Sequence, residues 1–200
     1  MSTGAPTGGD RTHPDLATAG EGSARRLGGT FSLYLVPSEL VRVTPERWRL
    51  QRDVRLRALA DSPDAFSTTL GEASALTDDE LRRRAAGGGI ALVAVVEDVG
   101  VGMGGAFAPP DRSTVYVWGM WVDPSARGQG LGSRLLDELV AWCRDPDHAG
   151  PTYDEVRLHV TEGNGGARRL YVNRGFRPTG TWEPLRTGSP LRVEEFSLAL

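Results

Sequence analysis

The chain has 200 residues and a formal net charge of −3, with 23 Lys plus Arg against 26 Asp plus Glu. This length fits one domain with a sizeable core, and the charge gives no electrostatic footprint for nucleic acid, so no nucleic-acid partner is expected. A single cysteine, Cys143, and the lack of a secretory signal or of an apolar run near the roughly 20 residues that span a bilayer predict a cytoplasmic protein that does not bind membranes.

Residues 1–29 are rich in Gly, Thr, Ala, Ser and charge, with almost no large apolar side chains. Such a segment cannot bury enough surface to offset its chain entropy, so we expect a disordered tail. The predicted domain therefore covers residues 30–200. The apolar run at 31–36 is expected to form an extra strand or an arm packed on that domain.

The first part of the domain alternates strand and helix signals. Residues 40–43 predict a strand, and Thr44 followed by Pro45 predicts a helix that begins there and runs to about Ala60. Residues 65–69 then form a loop that could face a cleft.

A second helix signal is the capping box formed by Thr77 and Glu80, which predicts a short helix to about Ala86. A β-branched run at 90–96 and a glycine-rich run at 101–107 follow it. We expect these two runs to pair as a hairpin through a tight turn.

The second part contains a strand–helix–strand unit. An apolar strand at 114–122 leads into a glycine-rich turn and an amphipathic helix that ends near Arg144, and residues 155–160 form the next strand. This unit should hold a parallel strand pair with a right-handed crossover. Three further elements are a helix at 166–174, closed by Gly175, and strands at 176–182 and 191–200. The fold class is α/β, with a mixed, mostly antiparallel central sheet of about 6–7 strands flanked by helices.

The turn at 122–133 has the composition of an anion site. Its glycines permit a tight turn in which backbone N–H groups converge at the start of a helix, and Arg127 adds a cation. The glycines at 128, 130 and 132 do not fit the G-x-G-x-x-G fingerprint of dinucleotide folds, because position 133 is Ser. A Walker P-loop needs Gly-Lys-Ser/Thr, which is absent from the turn.

Two blocks of the sequence carry a resemblance to a known family. Residues 127–132, Arg-Gly-Gln-Gly-Leu-Gly, match the R-x-x-G-x-G/A loop of the GNAT acetyltransferases. Residues 164–176 are similar to that family's N-x-x-A-x-x-L-Y-x-x-x-G-F, with every fixed position filled. The blocks come in the family's order, so the chain resembles a GNAT domain from about residue 38 to 200, whose fold has a splayed parallel strand pair.

The resemblance implies acetyl-CoA as co-substrate. Backbone N–H groups of the glycine-rich turn would hold its pyrophosphate. The backbone of Met120 and Val122 would pair with the pantetheine arm, which requires the strands at 114–122 and 155–160 to splay. The cofactor-binding residues implied are Met120, Val122, Arg127, Gly128, Gln129, Gly130, Leu131, Gly132, Ser133, Asn164, Ala167, Leu170 and Tyr171.

The resemblance also gives Tyr171 the role of the acid that protonates the leaving thiolate, which suits a phenol of pKa about 10. Many relatives take the amine's proton with a Glu of the central strand, but the strand at 115–122 has no carboxylate. Glu162 is the nearest carboxylate in sequence, and His159 is another candidate. A surface Glu and a satisfied strand histidine are the alternatives.

The implied function is acetyl transfer to a primary amine by direct attack, with a small-molecule or peptide amine as acceptor. Phe66 and Trp118 are the predicted acceptor contacts, together with the 182–192 hairpin. Strict strand alternation would let only one of Trp118 and Trp121 face the cleft. The alternative function is a non-catalytic acyl-CoA-binding or regulatory module on the same fold. No metal site is expected, and an edge strand could support a homodimer.

Overall fold

The computed structural model describes residues 38–109, 113–145 and 153–200, and the predicted tail and the run at 31–36 lie outside these ranges. Its strands are β1 (Glu39–Arg42), β2 (Ile90–Val96), β3 (Val99–Phe107), β4 (Thr114–Val122), β5 (Glu155–Thr161), β6 (Arg177–Pro184) and β7 (Arg192–Ala199). Its helices are α1 (Trp48–Asp61), α2 (Leu70–Ser74), α3 (Asp78–Ala85), α4 (Leu131–Arg144) and α5 (Gly165–Asn173). Within the described residues, no helix is long and apolar enough to cross a membrane.

The strands of the described residues form one sheet in the order β1-β2-β3-β4-β5-β7-β6. The pair β4–β5 is parallel, and the other neighbours in the sheet are antiparallel. The parallel pairing covers Thr114–Tyr116 against Glu155–Arg157, so the later parts of the two strands separate. The predicted mixed sheet, with its splayed parallel pair, is confirmed.

Each face of the sheet carries its own apolar cluster because α4 and α1 pack on opposite sides. The α4 side buries Leu135, Leu136 and Leu139 completely, at the i, i+1 and i+4 positions of an amphipathic helix. The α1 side buries Val54 and Ala58 in the same way. Full burial of a leucine or valine side chain is worth about 1.5–3 kcal/mol.

The predicted start of the first helix is wrong. The backbone N–H of Arg47 donates to the carbonyl of Thr44 at 2.9 Å, which closes a single turn, and α1 begins only at Trp48. The hydroxyl of Thr44 is hydrogen-bonded to the Glu46 carboxyl instead of capping a helix, and this bond lowers the pKa of that carboxyl. A Thr-Pro pair thus started a turn here, and the helix followed it.

Helix α2 was missed. Its capping box joins Thr69 and Glu72: the Thr69 side chain accepts from the Glu72 N–H, and the Glu72 carboxylate accepts from the Thr69 N–H at 2.7 Å. Five residues offer too little apolar periodicity to mark a helix. The predicted capping box of Thr77 and Glu80 is confirmed, and it opens the longer helix α3.

Candidate active site

A cavity of about 610 Å³ opens where β4 and β5 separate. Its wall takes residues from α1, from the loops and helices that follow it, from β4 and β5, from α5 and from the β6–β7 connection. Six of the predicted site residues line this one cavity: Phe66, Trp118, Met120, Asn164, Ala167 and Tyr171. The cavity therefore brings together residues of the 65–69 loop, of β4 and of the block at 164–176, while no residue of the block at 127–132 lines it.

The turn at 122–133 between β4 and α4, which we call the anion turn, has the geometry expected of an anion site. Gly128 and Gly130 both adopt φ near +79°, and a Cβ at either position would meet nothing within 4 Å. The first hydrogen bond of α4 runs from the Arg134 N–H to the Gly130 carbonyl, so the N–H groups of residues 131–133 precede it. Open space and N–H groups at the N-terminus of a 14-residue helix fit a phosphate group.

This turn packs directly against α5 and the end of β4. A Cβ at Gly132 would lie 3.4 Å from the Leu170 side chain and 3.7 Å from that of Val122. Both Leu170 and Val122 are partly buried against the α4-side core. The three predicted cofactor contacts Val122, Gly132 and Leu170 are thus neighbours where the anion turn meets α5 and the end of β4.

The Arg127 side chain is held by protein groups at the end of α1 and at the end of β4. Its Nη2 lies 2.7 Å from Asp61 Oδ2, and its Nε donates to the Val122 carbonyl at 2.9 Å. Hydrogen bonds from Ser62 and Trp121 to the Asp61 carboxylate, with a smaller contribution from Arg127, lower its pKa. Arg127 therefore joins the end of α1 to the anion turn, and its predicted contact with the cofactor stays a prediction.

Tyr171 is buried at the inner end of the cavity. It is 5% exposed and meets the Phe176 ring edge-on at 6.0 Å between centroids. Burial raises the pKa of the phenol above its ordinary value of 10, because the phenolate would lose its hydration. The phenol therefore stays protonated at neutral pH. Helix α5, which carries Tyr171, is capped by Asn164, whose side-chain oxygen accepts from the Ala167 N–H at 3.1 Å.

The two candidates for the general base, Glu162 and His159, differ in their position relative to the cavity. The Glu162 side chain is exposed and is not part of the cavity wall that the structure describes. His159 and Glu183 do line the cavity, with His159 Nε2 3.3 Å from Glu183 Oε1. The imidazole ring stacks on Tyr116 at 6.5 Å between centroids. His159 is therefore an oriented group facing the cavity, with a carboxylate beside it.

The two tryptophans of β4 lie on the same face of the sheet, because strict alternation breaks at Gly119. Gly119 has φ +67°, and Trp118 and Trp121, three residues apart, are opposite Gly105 and Met103, two apart. Trp118 then lines the cavity, while Trp121 is buried in the α1-side cluster. The assumed alternation of β4 is wrong at this bulge.

Phe66 is fixed from two sides. The Arg186 guanidinium, on the β6–β7 connection, donates to the Phe66 carbonyl at 2.9 Å. On the other side, the Arg55 guanidinium carbon lies over the Phe66 ring, 4.7 Å from the ring centroid. The 65–69 loop and the 182–192 hairpin are thus tied together at the cavity, where Glu183 and Leu185 also lie.

Three arginines of the cavity wall were missed from the sequence: Arg52, Arg55 and Arg84. Burial, and secondarily the charge of Arg84, lowers the pKa of Arg55 to about 10. The one available signal was the spacing of Arg52 and Arg55, three residues apart on α1, which puts both on one helix face. No group of three or more potential metal ligands occurs in the part of the chain that the structure describes.

Comparison with protein families gives a match to the Acetyltransferase (GNAT) family over residues 56–176, more than half of the chain. The mycothiol acetyltransferase of Beutenbergia cavernae is 38% identical over 69 residues, which cover 34% of this chain and 22% of that protein. The L-2,4-diaminobutyric acid acetyltransferase of Marinococcus halophilus is 50% identical over 50 residues, 24% of this chain and 29% of that enzyme. The chain thus spans less than a third of the length of these two relatives.

Among solved structures, a protein of Salmonella typhimurium with its cofactor acetyl-CoA superposes with a TM-score of 0.63. The match covers 82% of this chain and 94% of that one at 20% sequence identity. At this identity the likeness concerns the fold alone.

Proposed function

Because the chain belongs to the GNAT family of acetyltransferases, we propose that it transfers an acetyl group from acetyl-CoA directly to a primary amine. The observation that supports this most is the joint placement of Tyr171 and the open end of the splayed strand pair in one cavity. The names of the two relatives, a mycothiol and an L-2,4-diaminobutyric acid acetyltransferase, favour a small-molecule amine as acceptor.

Acetyl-CoA supplies the acetyl group as a thioester, which an amine can attack without a covalent enzyme intermediate. The N–H groups at the start of α4 are suited to its pyrophosphate, since they precede the first helical hydrogen bond. The edge of β4 left free where it separates from β5 is suited to its extended arm, through the backbone of Met120 and Val122. The Val122 carbonyl already accepts from Arg127, so Met120 would carry more of this pairing.

Two groups of the cavity would move the protons. The Tyr171 phenol, with its pKa raised by burial, donates to the departing thiolate. His159, oriented by Glu183 and by the Tyr116 ring, accepts the proton of the attacking amine, directly or through a water. Glu162 is less well placed for this role, since its side chain is exposed outside the cavity wall.

The test combines a binding and a turnover measurement on the purified chain. Isothermal titration should show acetyl-CoA binding at micromolar concentration, and a thiol-release assay across a panel of amines, amino acids and peptides should show turnover. Absence of acetyl-CoA binding would contradict the proposal. Binding without turnover across the panel would favour a non-catalytic acyl-CoA-binding module instead.

Cytoplasmic location and homodimerisation through an edge strand remain parts of this proposal. The edge strands of the described sheet are β1 and β6. Size-exclusion chromatography with light scattering would show a mass of twice 21.5 kDa for the dimer.

A further inference from the structure

The cavity wall formed by α1 and α3 carries an excess of positive charge. Three arginines, Arg52, Arg55 and Arg84, line the wall against one carboxylate, Glu183, and that carboxylate faces His159. Among the described residues, none of the three guanidinium groups has a carboxylate oxygen within 4.0 Å. By contrast, Arg49, Arg57 and Arg127, which lie outside this wall, are each ion-paired.

Arg55 is the best defined of the three. Its Nη1 is buried and has no hydrogen-bond partner among the described residues, and the same is true of Arg52 Nε. The guanidinium lies 4.7 Å from the Phe66 ring centroid, and a Cβ at Gly119 would lie 3.3 Å from Nη1. Arg55 is therefore held between an aromatic ring and the bulge of β4, with donors left over.

Burying a cation without a partner costs free energy that a bound anion can recover. A guanidinium has a planar set of donors that matches a carboxylate in a bidentate arrangement. Arg55 lines the cavity together with Phe66 and Trp118, so a carboxylate that enters the cavity meets this side chain.

We propose that the amine acceptor is a small molecule that also carries a carboxylate, and that Arg55, flanked by Arg52 and Arg84, binds this carboxylate. The inference rests on the proposed acetyl transfer and narrows its acceptor to amino-acid-like amines. Arg84 is exposed at the cavity wall and would attract the anion, while Arg55 binds it at the bulge beside the reacting groups of the cavity. A peptide N-terminus has an amide in place of this carboxylate and would lack the contact.

The experiment compares matched acceptors in the thiol-release assay. Each amino acid is paired with its carboxamide and with the amine that remains when its carboxylate is removed, for example lysine with lysinamide and cadaverine. We expect kcat/KM for the preferred amino acid to exceed that of both partners by about 10- to 100-fold. Arg55→Gln should lower kcat/KM for the amino acid by a similar factor. It should change kcat/KM for the carboxamide and for the decarboxylated amine by less than about twofold, and it should leave the Kd for acetyl-CoA unchanged. Arg55→Lys should lower kcat/KM for the amino acid less than Arg55→Gln does, since lysine keeps the positive charge but lacks the planar pair of guanidinium donors.

Arg49→Gln is the matched control, because Arg49 is on the same helix, pairs with Asp78 and lies outside the cavity wall. It should leave the preference for carboxylates intact. Arg84→Gln gives a second variant at an exposed position, with a smaller loss expected, in case Arg55→Gln folds poorly.

The outcomes separate this inference from the proposed function. No acetyl-CoA binding, or no turnover with any acceptor, overturns both. Turnover that is indifferent to the carboxylate, that favours peptides, or that Arg55→Gln lowers equally for the amino acid and its carboxamide overturns the inference and leaves the acetyl transfer standing.

Discussion

Asp61 Oδ2 accepts hydrogen bonds from Arg127 Nη2 at 2.7 Å and from Trp121 Nε1 at 2.9 Å. One carboxylate oxygen at the end of α1 therefore joins the anion turn to the buried tryptophan of β4. The Arg127 side chain is half exposed, at 51%, so the ion pair itself is screened by solvent. The bond to the Trp121 indole is part-buried and adds a partner that solvent does not replace.

Asp61→Asn should lower the free energy of unfolding because it removes the charge of the carboxylate. The loss should be only about 1 kcal/mol, since the amide keeps an acceptor oxygen. Hydrogen bonds from Ser62 and then Trp121 lower the pKa of Asp61, so its stabilising effect is complete above its ordinary pKa of 3.8. The effect is lost as the pH falls through the lower pKa of the folded state. Urea unfolding from pH 7 down to pH 3 should show the gap between wild type and variant shrink below pH 3.8.

The control is Asp53→Asn, an exposed position on the same helix. It should change the stability by less than Asp61→Asn at pH 7. An equal loss in the two variants would show that Asp61 contributes only helix-surface charge.

Gly130→Ala should weaken acetyl-CoA binding about tenfold, whereas Gly132→Ala should change the Kd by less than threefold. Gly130 has φ +79°, where an added Cβ costs about 1–2 kcal/mol and would distort the turn. At Gly132 the added Cβ would make ordinary contacts, 3.4 Å to Leu170 and 3.7 Å to Val122. Isothermal titration measures both values. Equal affinities for the two variants would mean that the turn does not position the N–H groups for the phosphates.

The strands and the two motif blocks could be predicted from the sequence because they depend on local patterns. The apolar run of β4 and the capping box of Thr77 needed no knowledge of distant residues. The bulge at Gly119 could not be predicted, since one residue in the left-handed region shifts the side-chain alternation without any change of composition. Arg55 was missed because an arginine on an amphipathic helix is usually solvated, and its burial depends on Phe66 and Gly119.

Tyr171→Phe should lower kcat about 100-fold or more and leave the Kd for acetyl-CoA nearly unchanged, because the ring stays and the proton donor is lost. Burial raises the pKa of Tyr171 above its ordinary value of 10, so the wild-type phenol keeps its proton throughout the neutral and mildly alkaline range. The alkaline loss of kcat that comes from this group should thus lie above pH 10. Unchanged turnover in the variant would remove Tyr171 from the acid role.

Gly105→Ala should raise KM for the acceptor and change the tryptophan fluorescence, while the Kd for acetyl-CoA stays constant. A Cβ at Gly105 would lie 2.3–2.8 Å from three atoms of the Trp118 indole, so the ring must move from its place in the cavity wall. Overpacking of this kind costs about 1–3 kcal/mol of stability. Gly71→Ala is the control, because a Cβ there meets nothing within 4 Å and alanine favours the helix α2. A constant acceptor KM in Gly105→Ala would show that Trp118 does not contact the acceptor.

Arg55→Met should make the free protein more stable while it removes the preference for carboxylates. The variant loses the stacking on Phe66, worth about 0.5–1 kcal/mol, but it also removes a cation whose Nη1 is buried without a partner among the described residues. Replacing even a paired buried charge by an apolar side chain of similar volume is often neutral or stabilising, by up to about 4 kcal/mol, and Arg55 has no carboxylate partner among the described residues.

Thermal unfolding of the two free proteins measures this gain as a higher Tm for Arg55→Met. Arg57→Met is the control on the same helix, because Arg57 is paired with Asp123 at 3.0 Å and should therefore lose stability on substitution. An amino acid that the wild type acetylates should raise the Tm of the wild type and leave that of Arg55→Met unchanged, since only the wild type gains a counterion for the buried guanidinium. A lower Tm for free Arg55→Met would show instead that Arg55 stabilises the fold through Phe66, and that the guanidinium is not a site kept open for an anion.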